Sequence, residues 1–271
     1  MDVVDFADPP VVETVLSVGF APVEGLTSAH VGHFWTEVSE SFPTAQERLP
    51  YDMPIERFVD QPAMSLELGF GEVAPRTRLW LISDDDQRLL QIQRDWFAYN
   101  WRVRAHGRYS DARFPERRMA FDQFFAKFMD YVSRQRLGDV SPRQCEVTYI
   151  NHVPSSGAAT DDLGEILGFV SKPRLTELAG RFESWQTTFS VLLSEDNQPV
   201  GRLHISAQPI AADRSWVWQL NLTARGRPIG SGREGVLRFM DLGHEAIVTN
   251  FREITTERMH EAWGMKDGRL T

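Results

Sequence analysis

Hydrophobic and polar positions change period several times along the chain, and each change predicts an element. In VVETVLSVGF (11–20), Val12, Leu16, Val18 and Phe20 alternate with Glu13, Ser17 and Gly19, the period of a strand with one covered face. TSAHVGHFWTEVSESFP then places Val31, Phe34, Trp35, Val38 and Phe42 at helical spacing, with Thr27 or Ser28 to cap the start and Pro43 to end it. Residues 44–76 have no clear period and read as an insertion or covering loop. RLWLIS and LLQIQRDWFAYNWRVR read as two strands joined by the polar turn DDDQ. FPERRMAFDQFFAKFMDYVSRQR carries one apolar stripe of Phe121, Phe124, Phe125, Phe128 and Val132 behind a proline suited to a first helical turn.

The second half repeats this order. QCEVTYINHVP (144–154) predicts a strand, TDDLGEILGFV (160–170) a short helix, and residues 181–193, 200–208 and 215–224 three more strands. In the last of these Trp216, Trp218, Leu220 and Leu222 share a face. A single long helix is expected from about 232 to 263, with Leu237, Met240, His244, Ile247, Phe251, Ile254 and Trp263 turned inward. LISDDDQRLL (81–90) also lies against LLSEDNQPVG (192–201), each reading as a hairpin turn. Letters and element order together predict an internally duplicated α+β protein of two tandem halves, 1–138 and 139–271. Helices would cover one face of two sheets that join edge to edge.

Residues 89–104 pose the sharpest problem. Read as one strand, Phe97, Tyr99, Trp101 and Val103 share one face, while Trp96, Ala98, Asn100 and Arg102 share the other with Leu90 and Ile92. The apolar groups thus switch faces, which calls for a bulge or for cover on both sides. The first reading is core packing on both sides; the alternatives put Asn100 and Arg102 at a pocket mouth with an aromatic wall behind them, or leave a plain solvent-facing strand.

Charge narrows the partners. The 271 residues carry a net charge of -9, and an acidic surface repels phosphate backbones. Residues 102–136 run the other way: nine Lys or Arg, Arg118 among them, against four acids give a local excess of +5. Cys145 is the only cysteine, so neither an internal disulfide nor a cysteine-rich zinc site can form. The acidic start and the lack of a membrane-length apolar run point to a cytoplasmic protein.

PPVVETVLSVGF, LLQIQRDWFAYNWR, RYSDARFPERRMAFDQFF, TYINHVP and the final helix resemble a sporadically distributed bacterial family without an assigned activity. NWR and YIN carry most of that likeness, which implies a bacterial protein of one architecture and supplies no catalytic residue. The element order is similar, in topology alone, to TATA-binding and helix-grip domains.

Reactive chemistry is poorly signalled. His30, His33 and Glu37 can share a helix face, and Glu257 with His260 makes one Glu-x-x-His step, but a di-metal bundle needs two such steps. No nucleophile elbow or phosphate loop is present. Asp161 and Asp162 read as capping acids, GRPIGSGREG as a loop before a helix, and Cys145 as a small buried hydrophobe. No catalytic residue, metal or cofactor is therefore expected. The first expectation is a non-enzymatic protein-interaction module in a regulatory, defence or toxin-neutralising setting, using the aromatic and arginine-bearing sheet surface or the basic helix. The second is a small-molecule binder or enzyme with a cavity between sheet and helices, lined by Trp101, Tyr149 and Trp218. The third is a single-strand nucleic-acid binder, which the overall acidity disfavours. Candidate binding residues are Tyr99, Asn100, Trp101, Arg102, Arg104, Arg118, Tyr149, Asn151, His152 and Trp218.

Overall fold

The computed structural model describes residues 5–58, 77–104, 113–155, 163–170, 184–212 and 215–266. The chain is α+β. After the short β1 (Asp5–Phe6), the first half runs β2 (Val11–Phe20), α1 (Ser28–Val38), β3 (Thr44–Arg48), β4 (Arg78–Ile82), β5 (Arg88–Gln93), β6 (Trp96–Arg102) and α2 (Phe114–Arg134). The second runs β7 (Pro142–Pro154), α3 (Leu163–Ile166), β8 (Thr187–Glu195), β9 (Gln198–Ala212), β10 (Ser215–Gly226) and α4 (Gly232–Ile254). α5 (Glu257–Ala262) and β11 (Met265–Lys266) follow, and β11 pairs with β1.

Nine strands form one antiparallel sheet in the order β3-β4-β5-β6-β2-β7-β10-β9-β8. The first half is β2 beside the four-stranded meander β3 to β6, the second is β7 beside the three-stranded meander β8 to β10, and the two meet where β2 pairs with β7, Leu16 opposite Val147. The boundary between residues 138 and 139 falls between α2 and β7, yet the halves share one sheet and one hydrophobic cluster.

Registry decides which side chains meet the helices. Phe97 lies opposite Val18 and Ile92, Tyr99 opposite Leu16 and Leu90, and all are buried against the Phe121, Phe125 and Phe128 stripe of α2. Burying one such phenyl stabilises by about 1.5–3 kcal/mol. α4 covers β7 and β10 through Val236, Phe239, Met240 and Ile247. Gly243 lets the helix come close, for a Cβ there would lie 3.1 Å from Ala224 and Val147 side chains.

The apparent switch of faces in residues 89–104 is a hairpin. β5 ends at Gln93, Arg94 and Asp95 turn, and Trp96 pairs back with Gln93. A two-residue turn puts residues i and i+3 on one face, so Ile92 joins Phe97 rather than Trp96. Arg-Asp lacks the Asn-Gly signal of such turns. It is held instead from outside, by the Phe20 and Val23 N–H groups donating to the Asp95 and Arg94 carbonyls at 3.0 and 2.9 Å.

Other expectations shift in smaller ways. A bulge at Val12 puts Val11, not Val12, on the helix side. Residues 44–48, expected in a loop, are the edge strand β3. The final helix stops at Ile254, where Thr255 takes an extended backbone and its hydroxyl donates to the Phe251 carbonyl at 2.6 Å. α3 is four residues long, and β8 begins only at Thr187. The two aligned turns differ: Ser83 and Arg88 close a four-residue loop, whereas Glu195 pairs with Gln198 across Asp196 and Asn197, both at positive φ. Asp161, Asp162, residues 59–76 of the expected covering loop and the start of the strand expected from 181 lie outside the described residues.

Candidate functional site: the polar face of the sheet and a cavity beneath the helices

The face turned from the helices carries a network of polar side chains among apolar ones such as Val15, Leu89, Ala98 and Ile150. Gln91 donates to Asn100 Oδ1 at 2.7 Å, and Asn100 Nδ2 donates to Glu13 at 2.6 Å, linking three strands. Arg225 Nε donates to Glu146 at 2.6 Å, and Thr148 meets Thr223 at 3.0 Å. Six side-chain atoms buried on this face make no hydrogen bond: Ser17 Oγ, Arg78 Nε, Trp80 Nε1, Trp96 Nε1, Arg102 Nε and Asn221 Oδ1. Buried polar groups normally find partners, so such a concentration marks a surface not tuned for stability alone.

Residues 51–58 cross this face without regular secondary structure. The Tyr51 N–H donates to Gln93 Oε1 at 2.8 Å, and Gln93 Nε2 donates back to the Tyr51 carbonyl at 3.1 Å. Farther along, the Glu56 N–H donates to Gln144 Oε1 at 2.6 Å, and Gln144 Nε2 donates to the Pro54 carbonyl at 2.7 Å. A glutamine amide offers one acceptor and a donor side by side, as a peptide group does, so each side chain grips backbone in the manner of a strand. With the segment in place Gln93 and Gln144 are 1% and 6% exposed, and Gln93 Nε2 also donates to Asp95 Oδ1 at 2.7 Å.

Side chains complete the grip. Tyr51 lies on Trp96 with ring centroids 4.9 Å apart, and Met53 reaches the backbone of Gly19, where a Cβ would stand 2.9 Å from its sulfur. Glu56 accepts from His204 Nε2 at 2.8 Å and pairs with Arg202. Burial alone would raise its carboxyl pKa, but those two hydrogen bonds outweigh it and hold the group below its ordinary value. Arg202 and Arg227 approach the Phe58 ring at 5.3 and 5.9 Å. No residue from 49 to 58 is buried, Ile55 is 74% exposed, and a cavity of about 490 Å³ runs beside the segment. It lies on the sheet rather than in it.

The ten candidate residues fall into three groups. Tyr99, Trp101, Tyr149, Asn151 and Trp218 face the helices and are at most 4% exposed. The Arg117 guanidinium covers Trp101 at 3.9 Å, and Tyr99 stacks on Phe124. Asn100, Arg102 and His152 lie on the polar face, where His152 meets Gln219 at 3.1 Å. Arg102 and Arg104 both clasp Asp86, at 2.5 and 2.7 Å. Arg118 stands apart, tying α2 to α4 through a bidentate pair with Asp241 at 2.5 and 2.8 Å. It shares no surface with Arg102.

Under the helices, Asp5, Phe6, Pro9 and Val11 from the N-terminal segment, Arg113, Phe114 and Pro115 at the start of α2, Tyr149 and Asn151 of β7, and His244, Ile247, Val248 and Phe251 of α4 enclose about 300 Å³. This is a cavity between sheet and helices, lined by Tyr149 but by neither Trp101 nor Trp218. His244, expected in the core, sits on its wall. The ring stacks on Phe114, centroids 3.8 Å apart and planes at 9°, and Nδ1 lies 2.9 Å from the Tyr149 hydroxyl. Burial, and then the nearby Arg117 charge, pushes its pKa down to about 4, so the imidazole is neutral at pH 7.

The histidines considered for metal have other duties. His30 caps α1 through Thr27 at 2.8 Å, His33 meets the Tyr131 hydroxyl at 3.3 Å, and Glu37 pairs with Arg134. His260 lies between Thr255 and the Arg252 carbonyl. Among the described residues, no three His, Cys, Asp or Glu side chains are grouped to hold a metal ion, and no helix is long and apolar enough to cross a membrane. Compared with protein-family models, curated proteins and solved structures, the chain matches none.

The glutamines, Glu56, Arg202 and His204 were not signalled by any motif. The trace they leave is periodic: in LLQIQ, Gln91 and Gln93 occupy the positions that alternate with core residues.

Proposed function

We propose that the chain is a protein-interaction module whose polar sheet face binds an extended segment of a partner. Residues 51–58 act as its built-in occupant, which a partner segment replaces or extends. The observation that carries this reading is the pairing of two glutamines, Gln93 and Gln144, each with both a backbone N–H and a backbone carbonyl of a segment in which no residue as a whole is buried, though the Glu56 side chain is 8% exposed. Backbone hydrogen bonds give such recognition its affinity, and side-chain contacts give it specificity. Here the specificity elements are an aromatic residue over Trp96, a carboxylate between Arg202 and His204, and a second aromatic beside Arg227. We read the matched order of the two halves as an internal duplication that produced so broad a sheet. The lone, buried Cys145, whose thiol pKa burial raises, suits a reducing cytoplasm.

The test replaces residues 49–58 by a Gly/Ser linker and supplies LPYDMPIERF as a labelled peptide, read by fluorescence anisotropy. Saturable binding is expected. Gln144→Ala, which removes two hydrogen bonds of about 1 kcal/mol each, should weaken it by roughly tenfold or more. No binding to a linker variant that retains its fold contradicts the proposal.

A further inference from the structure

We propose that the cavity between α2, α4 and the Asp5–Val11 segment is a binding site for a neutral, largely apolar small molecule that presents one hydrogen-bond donor. This site lies on the opposite side of the sheet from residues 51–58 and does not depend on the reading given to that face. Its volume of about 300 Å³ stands at the small end of ligand sites, and Phe6, Val11, Phe114, Ile247 and Phe251 make most of the wall.

The polar groups on that wall are few and directional. Asn151 is 2% exposed, and its Nδ2 donates to the Leu220 carbonyl at 3.0 Å. Its Oδ1 offers the cavity an acceptor open to a donor. The ring of His244 is fixed by Phe114 on its face and by Tyr149 at Nδ1, leaving Nε2 as a second, oriented group without a hydrogen-bond partner. A planar aromatic ligand would give its one donor to Asn151 Oδ1 while lying against Phe114 and Phe251.

Charge on the wall argues for a neutral ligand. Asp5 and Arg113 are paired at 3.1 Å, and the same guanidinium donates to the Phe6 and Ala7 carbonyls at 2.8 and 3.2 Å. His244 stays uncharged at neutral pH. Arg117 is outside the lining, stacked on Trp101 and donating to Thr14 at 2.7 Å. An anion would have to break the Asp5–Arg113 pair, which also holds the N-terminal segment over the cavity.

Two dyes with one skeleton test this on the full chain: N-phenyl-1-naphthylamine, neutral with a single N–H, and 8-anilinonaphthalene-1-sulfonate, which adds a sulfonate. The neutral dye should give saturable, one-to-one fluorescence enhancement, and the sulfonate should bind at least roughly tenfold more weakly. Asn151→Ala should weaken the neutral dye by about tenfold. Val248→Trp, which fills the cavity, should abolish its binding while near-UV circular dichroism keeps its native form; Val248→Phe serves if the larger ring prevents folding. No saturable binding of the neutral dye overturns the proposal. So does binding that survives the filling variant, or a sulfonate that binds as tightly as its neutral parent.

Discussion

The two faces of the sheet use the same strands for opposite ends. On the helix side, Phe97, Tyr99 and Trp101 meet Phe121, Phe124, Phe125, Phe128 and Arg117 and are almost wholly buried. On the other side, their neighbours Trp96, Asn100 and Arg102 enter hydrogen bonds, ion pairs and ring contacts, and Trp96 Nε1 and Arg102 Nε stay unpaired. Apolar packing is non-directional and cooperative, so one face fixes the fold. Oriented polar groups contribute little net stability but select what may lie against them, which is why recognition is proposed for the other face.

The contrast should appear first in stability. Phe125→Ala empties a position that is 0% exposed and should cost about 3–5 kcal/mol, lowering Tm by roughly 10 °C in a thermal melt. If the polar face were a second core, Gln144→Ala would cost as much.

A smaller effect separates the cavity from the rest of the core. His244 has a folded pKa of about 4 against an unfolded value near 6.5, so folding disfavours its protonation. Its contribution should be unchanged above pH 6.5 and lost as pH falls from 6.5 through 4, by about 3 kcal/mol in all. His244→Phe should flatten that limb of the stability curve in urea titrations; an unchanged acid limb would place the loss elsewhere.

Much of the helix side was legible in advance because it obeys simple periods. The apolar stripe of α2 and the alternation of β2 and β10 led directly to one α+β scaffold with helices on one face. The hairpin at Arg94–Asp95 was not legible, since its turn is imposed by Phe20 and Val23 rather than by local residue preference. Tyr99, Trp101, Tyr149 and Trp218 were singled out for size and aromaticity, the properties that also drive burial. Gln93 and Gln144 escaped notice because a glutamine's role depends on which backbone crosses above it, and Glu56 lies 88 residues from Gln144. Arg118 looked free because Asp241, its partner, is 123 residues away.

The most direct test of the division between faces is limited trypsin digestion of the Gln93→Ala/Gln144→Ala variant, followed by mass spectrometry at the exposed Arg57. Four lost hydrogen bonds should speed cleavage there by at least roughly tenfold while Tm stays within a few degrees of the parent. Cleavage at the parent rate, or a melting point that falls as far as that of Phe125→Ala, would contradict it.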